Sequence, residues 1–270
     1  SILMKKTQKR IRIFYLSLFF LILYIPVLSV VLYSFNKSSS TAQWAGFTLD
    51  WYKQLFNDQV IFEAFKVSVQ VAILTSILSA IIGTASAIIS IYVTKKAEKS
   101  MNGLMFLPLI VPEVALGISL LIFFNIIKLP YGILTLVISH SIFCVPYVHI
   151  MVQLRLKEIE RSIIEAAKDL GASKWQIIRT ILLPLVIPST LTASLLAFAM
   201  SMDDVIISAY MAGPTTTTLP VHIFSMMRVG VTPKVNALCT LFLLGTFLLI
   251  GLNQTIGTKG GNLIEQKKIK

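Results

Sequence analysis

Apolar and polar positions along this chain fall into long blocks. Six runs are long enough to cross the roughly 30 Å hydrocarbon core of a bilayer, which takes about 20 apolar residues in a helix. They are Ile13 to Phe35, Val67 to Val93, Leu104 to Ile127, Gly132 to Leu154, Leu182 to Met202 and Asn236 to Ile256. The pattern predicts an all-α integral membrane protein of six transmembrane helices. One polar stretch, Glu165 to Pro184, interrupts it and also reads as helix. Ile159, Ile163, Ile164, Ala167 and Leu170 recur at three- and four-residue spacing and give one apolar face. Gly171 ends that helix, because glycine takes the left-handed conformation without steric cost. Ser173 and Gln176 then have the S-x-x-Q spacing of a capping box, which starts a second helix. The expected product is two short helices joined by a fixed elbow, a knob that another protein can grip and push. An ordinary helix-turn-helix loop would read the same way.

Composition and charge sharpen the class. The chain of 270 residues is 56% hydrophobic and 13% charged, against about 25% charged for a soluble domain. Its net charge of +12 is placed by topology and does not point to nucleic acid. Lys5, Lys6, Lys9, Arg10 and Arg12 precede the first run, Lys95, Lys96 and Lys99 follow the second, Arg155 to Arg179 fill the central loop, and Lys259 to Lys270 close the tail. The other side carries Lys37, Lys53, Lys66, Lys128, Arg228 and Lys234. The positive-inside rule therefore puts both termini and the central loop in the cytoplasm. The expected layout is a basic head over residues 1–12 and one membrane domain over 13–256. That domain carries a cytoplasmic loop at 155–181 and outer loops at 36–66 and 203–235, and residues 257–270 form a cytoplasmic tail. The first run is too long for a secretory leader and lacks a small-residue cleavage site, so it is read as retained.

Few residues offer chemistry. Cys144 and Cys239 stand alone inside runs, without metal-ligand spacing, and read as small buried hydrophobes. His140 and His149 are nine residues apart, about 13 Å along a helix and on opposite faces, so they make no shared metal site and read as satisfied core histidines. Tyr24, beside Pro26 in the middle of the first run, is either a path-lining aromatic or a ring packed between helices. Trp44, Phe47, Trp51, Tyr52 and Phe56 in the first outer loop suit the headgroup level or a docking soluble partner. Gly83, Ala85, Ser86 and Ala87 give the second run a small-residue packing face. Glu113 follows Pro112 in the third run, where a carboxylate faces water, a partner or a pathway; solvation at a helix end competes with function there.

The most informative acids are Asp203 and Asp204. Apolar residues continue after them from Val205 to Met211. Either the fifth run ends at Met202 and both are solvated, or the pair lies in the outer half of the membrane. In the second case, neighbours about 100° apart let one carboxylate face a central path while the other pairs with a helix end. Such a pair attracts ammonium groups. The segment after it mixes apolar residues with Gly213, Pro214, four threonines and Pro220, which fits a re-entrant stretch beside a path. No residue of the threonine run is given a role.

Two sets of residues carry a resemblance. Glu165, Ala166, Ala167, Gly171, Ile181, Leu183 and Pro184 reproduce the pattern E-A-A-x3-G-x9-I-x-L-P of the permease subunits of bacterial ABC importers. SMDDV at the acidic pair, GFT-x2-WY at Gly46 to Tyr52, GP-x4-LP at Gly213 to Pro220 and the later VGV-x-P and VNAL further resemble the permeases of spermidine/putrescine importers, from about residue 20 to 256. The resemblance implies the type I ABC importer permease fold in a bacterial inner membrane. It implies a coupling loop, here Glu165, Ala166, Ala167, Asp169, Gly171 and Ala172, docked into a homodimeric ATPase that binds ATP and Mg. It also implies a second homologous permease and an extracytoplasmic polyamine-binding protein, with Asp203 and Asp204 as the carboxylates that meet the polycation. Tyr24 and Glu113 join them as expected path residues. No cofactor is expected in this chain.

Other classes are weaker. Nothing matches G-x4-G-K-[ST], so the chain has no nucleotide-binding loop of that kind. A permease for another solute, such as an iron or thiamine ligand, would share the architecture. An intramembrane aspartyl protease needs two facing carboxylates from different elements, whereas Asp203 and Asp204 are neighbours. A secondary transporter usually has related halves, and the EAA segment occurs once.

Overall fold

A computed structural model describes residues 2–41, 43–248 and 251, with side chains from residue 11 onward. The described residues are helical, with α1 (Ile2–Tyr33), α2 (Asp50–Phe56), α3 (Gln59–Ser90), α4 (Lys95–Ile110), α5 (Glu113–Ile126), α6 (Ile133–Lys157), α7 (Arg161–Asp169), α8 (Lys174–Ile177), α9 (Leu183–Asp203), α10 (Ile206–Met211) and α11 (Leu219–Val229). A twelfth, α12, covers Pro233–Leu248. Four of the helical stretches are long and apolar enough to cross a membrane: Ile11–Tyr33, Gln59–Ser90, Ile133–Lys157 and Lys174–Asp203.

The third apolar run differs from the straight span that its hydropathy suggests. It is divided between α4 and α5, which meet at 104°. The cause is local: Val111 is extended, with ψ 131°, because the residue before a proline is pushed out of the helical region by the Pro112 ring. Counting the bent pair as one span gives five. The sixth run is helical to Leu248; its expected end at Ile256 and the expected tail over 257–270 lie outside the described residues.

The residues fall in two compact units, one drawn from Ser1–Gln59 and Ile223–Gly245, the other from Val60–His222 and Thr246–Lys270. In the first, Asn36 is fully buried and organises the loop after α1. Its amide nitrogen donates to the carbonyls of Ser40 and Gln43 at 3.1 and 2.8 Å, and its Oδ1 accepts from the Ala45 N–H at 2.9 Å. Trp51 Nε1 donates to the Asn36 carbonyl at 2.8 Å, and the Phe35 ring stacks on Phe47. Lys234, at the start of α12, donates to Asp58 Oδ2 at 2.8 Å. Trp44, Phe47 and Phe56 of the expected aromatic belt remain exposed.

The second unit is built on α6. Gly83 of α3 lies so close to it that an added Cβ would stand 2.6 Å from Val148 Cβ, which is how the small-residue face of α3 is used. Thr84 and Thr190 bring α3 and α9 together through a 3.0 Å hydroxyl pair. One apolar cluster joins Ala87, Val148, Val152, Leu182, Val186 and Ala197; another joins Val71, Phe124, Leu136, Ile207 and Met211.

His149 and His140 are both fully buried, and each ties α6 to different neighbours. His149 Nδ1 pairs with Ser86 Oγ at 2.8 Å and its Nε2 with Asn102 Oδ1 at 2.9 Å. Gln153 Nε2 donates to the same Asn102 oxygen at 3.2 Å. Cys144 is buried, its thiol 3.6 Å from the Ala197 carbonyl, and Cys239 is partly buried.

Candidate functional site

Two places in the second unit carry the candidate residues: the elbow between α6 and α9, and the break between α9 and α10. At the elbow, α7 ends on a hydrogen-bonded left-handed turn. Gly171 has φ +80°; its N–H donates to the Lys168 carbonyl at 2.8 Å, and the Ala172 N–H reaches back to the Ala167 carbonyl at 3.0 Å. That pair of bonds is the Schellman arrangement, and its two flanking residues, Ala167 and Ala172, both pack on the apolar cluster beneath. Ser173 to Gln176 then close the capping box: the Ser173 N–H donates to Gln176 Oε1 at 2.7 Å, and the Gln176 N–H to Ser173 Oγ at 3.3 Å.

Two sequence expectations about the elbow need correction. The helix that starts at Ser173 is not short. It runs through α8 and a π turn, Ile178–Leu182, directly into α9, so Lys174–Asp203 is one stretch of 30 residues. Pro184 explains the π turn, since it has no N–H for the Thr180 carbonyl and its ring needs room in the preceding turn. The Leu183 N–H instead bonds the Ile178 carbonyl, five residues back. The second correction concerns the single apolar face. Ile159, Ile164 and Ala167 do pack inward, but Ile163 and Leu170 point out, 44% and 89% exposed. With Trp175 at 67%, they form an exposed apolar rim around Glu165, Ala166, Asp169 and Gly171, all of which are exposed. Ala167 and Ala172 therefore support the knob from within. Arg155 fixes its root, with Nη1 donating to Glu158 Oε2 at 2.6 Å and Nε reaching the Leu185 carbonyl at 3.5 Å. Lys174 Nζ lies 5.9 Å over the Tyr92 ring.

At the acidic pair, the helix ends at Asp203 and the chain turns extended at Asp204, ψ 125°. The two carboxylates part ways. Asp203 is exposed, whereas the Asp204 side chain is 7% exposed. Asp204 Oδ2 accepts from the Ser208 N–H at 2.6 Å, in the first turn of α10, and lies 3.3 Å from His140 Nε2. The same imidazole nitrogen is 3.0 Å from Ser208 Oγ, and Nδ1 is 2.7 Å from Ser201 Oγ. Sequence reading made His140 a satisfied core histidine without naming a partner. The signal for one was the spacing of Ser201, Asp204 and Ser208, three and four residues apart, which keeps three polar groups on one side of the chain.

Beyond the break, Gly117 of α5, one turn after Glu113, is pressed on the Tyr210 ring, 2.6 Å from where a Cβ would stand. Glu113 itself is exposed at the first position of α5. The expected irregular stretch folds as α10, a tight turn and α11. Gly213 lies against the Tyr131 backbone, where a Cβ would collide with the carbonyl oxygen. Its N–H donates to Thr216 Oγ1 at 2.8 Å, so one of the four threonines closes the turn. Ser68 Oγ of α3 accepts from the Leu219 N–H at 2.7 Å and caps α11. Tyr24, on α1, is 44% exposed and stacked on Phe20, so no helix of its own unit encloses it. Among the described residues, the structure brings Asp204 into contact with His140 and Ser208 and leaves Asp203, Glu113 and Tyr24 open.

Known proteins resemble this chain over most of its length. It is 36% identical over 240 residues to the spermidine/putrescine transport system permease protein PotC of Haemophilus influenzae, covering 89% of this chain and 93% of that protein. It is 39% identical over 249 residues to the putrescine transport system permease protein PotI of Escherichia coli, covering 89% and 88%. In fold it matches a bacterial ABC transporter involved in the import of the acidic polysaccharide alginate. The TM-score is 0.76 at 13% identity, over 96% of this chain and 99% of the other. Residues 79–256, which hold both the elbow and the acidic break, match the binding-protein-dependent transport system inner membrane component. This is a multi-pass protein of the bacterial inner membrane, and it belongs to the family of inner membrane components of binding-protein-dependent transport systems.

Proposed function

We propose that this chain is a permease subunit of an ATP-driven importer whose cargo is a polyamine, spermidine or putrescine. The observation that carries the cargo is the 36% and 39% identity to permeases named for spermidine/putrescine and putrescine transport. The chemistry agrees with it: Asp203 offers an open carboxylate at the broken end of a long span, and a polyamine is a chain of ammonium groups. Glu113 and Tyr24 would add a second carboxylate and an aromatic face to the path, the latter able to receive a cation. Asp204 would serve the path from behind, through the geometry of the break.

In this reading the chain has six membrane crossings with both termini in the cytoplasm. The bent α4–α5 pair would be one crossing and α12 the last, with the head, loops and tail bounded as the charge pattern expects. The elbow is the cytoplasmic contact. Its exposed rim of Ile163, Leu170 and Trp175 around Glu165, Ala166, Asp169 and Gly171 suits a groove on a homodimeric ATPase, which would hold the ATP and Mg of the cycle. A second homologous permease would complete the path, and an extracytoplasmic polyamine-binding protein would deliver cargo to the outer loops. Closing the ATPase would draw the elbows together, and the continuous helix from Lys174 to Asp203 would pass that movement to the acidic break, alternating access between the two sides.

The test is uptake of labelled spermidine and putrescine by cells lacking their own importer and supplied with the complete system. Native protein should accumulate polyamine, and Asp203→Asn should reduce uptake at equal expression. Failure of the native system to take up either amine, with uptake of a different solute, would overturn the cargo and leave the architecture.

A further inference from the structure

We propose that His140 is a positioning residue for transport: it clamps the break between α9 and α10, holding Asp204 as an internal acceptor and leaving Asp203 as the carboxylate presented to cargo. The proposal rests on the reading of Asp203 as a path residue. It starts from a problem of backbone geometry. At Asp204 the helix stops, and the first main-chain bond of the next helix runs from the Ala209 N–H to the Val205 carbonyl. With no helical ladder across the break, side chains must set the direction of α10 relative to α9.

One imidazole bridges both sides of the break, while Thr135 Oγ1 of α6 donates to the Met211 carbonyl at the far end of α10 at 3.2 Å. Nδ1 meets Ser201, two residues before the end of α9, at 2.7 Å; Nε2 meets Ser208 of α10 at 3.0 Å and Asp204 at 3.3 Å. His140 is 0% exposed, so these contacts are not exchanged for water, and each lost one leaves a buried polar group unpaired. Nε2 hydrogen-bonds the Ser208 hydroxyl and faces Asp204 Oδ2, which accepts the Ser208 N–H, while Nδ1 hydrogen-bonds the Ser201 hydroxyl. With Oδ2 held by the Ser208 N–H beside the imidazole and its side chain 7% exposed, Asp204 presents little of its carboxylate to an ammonium group. Asp203, one residue earlier and about 100° around the helix, keeps an open carboxylate whose aim depends on where the break is held.

Two other readings of the cluster fail on the same geometry. Among the described residues no group of three metal-ligating side chains comes together. A nucleophilic serine needs access to substrate, and Ser201 and Ser208 are 4% and 0% exposed.

The experiment compares native protein, His140→Leu, Asp203→Asn and the double variant in the complete importer, with assembled complex quantified by co-purification. His140→Leu should raise the half-saturating polyamine concentration about fivefold or more, the size of one lost hydrogen bond. In the Asp203→Asn background it should change that concentration little, because it acts through Asp203. His140→Gln, whose amide can both accept from Ser201 and donate to Asp204, should recover most of the loss. A fall confined to the maximal rate, or an equal effect in both backgrounds, overturns the proposal. If His140→Leu does not assemble, Ser208→Ala removes one contact and should shift the same parameter in the same direction by less.

A second arm needs no cargo. A thiol introduced by Asp203→Cys, with Cys144 and Cys239 replaced by alanine, should react several-fold more slowly with a hydrophilic maleimide once His140 is also leucine. Equal rates would overturn the clamp. Should native protein carry no polyamine, the cargo reading falls and this arm still judges His140.

Discussion

The elbow and the acidic break are both interruptions of a helical membrane protein, and they are held in opposite ways. Every hydrogen bond that shapes the elbow's turn joins residues no more than five apart: Ala172 to Ala167, Gly171 to Lys168, Ser173 to Gln176. The break at Asp204 also uses a local bond to Ser208, but its direction is set by His140, 61 and 68 positions from Ser201 and Ser208. The first can form wherever its sequence is placed. The second exists only once α6 is packed against α9 and α10. Under the proposed function, a knob that docks on an ATPase would benefit from independence, whereas a break that follows movement in the bundle would benefit from being fastened to it.

Four substitutions break or sharpen that contrast. Gly171→Pro strikes the local device hardest: it forces φ from +80° to about −65° and removes the N–H that bonds Lys168, at a cost of about 3 kcal/mol or more. Uptake should be lost while the protein still inserts, and the ATPase should no longer co-purify; normal uptake would remove the coupling role. Gly213→Ala strikes the long-range side, since its Cβ meets the Tyr131 backbone. The backbone must shift, costing about 1–3 kcal/mol, read as earlier thermal unfolding of the purified complex. Ser173→Ala opens the capping box for about 1 kcal/mol and should weaken ATPase association without changing half-saturation by cargo. Thr84→Val removes the hydroxyl pair with Thr190 for about 0.6 kcal/mol, a small loss of stability with the elbow's function intact.

The same contrast decides what could be read from the sequence. Gly171, Ser173 and Gln176 were legible because their partners lie within a few residues, so spacing alone carries the chemistry. Hydropathy located the long helices, but it averages over a window and passes through Val111–Pro112, where the third run turns by 104°. Periodicity assigned Ile163 and Leu170 to the buried face because it reports apolar character; it does not tell a core contact from an exposed rim. The direction of Asp204 was out of reach: the spacing of Ser201, Asp204 and Ser208 marks a polar side, but nothing near them in sequence announces that His140 fills it.

The π turn at Ile178–Leu182 also fixes a rotational phase. A π turn carries one residue more than the α turn it replaces, and each residue advances a helix by about 100°. Widening the coil ahead of Pro184 therefore sets the azimuth at which Trp175 and the rest of the elbow leave the membrane, independently of how α9 packs. One residue more or fewer between Ile177 and Leu183 would leave the bundle as it is and swing the rim of Ile163, Leu170 and Trp175 toward a different quarter around the helix axis.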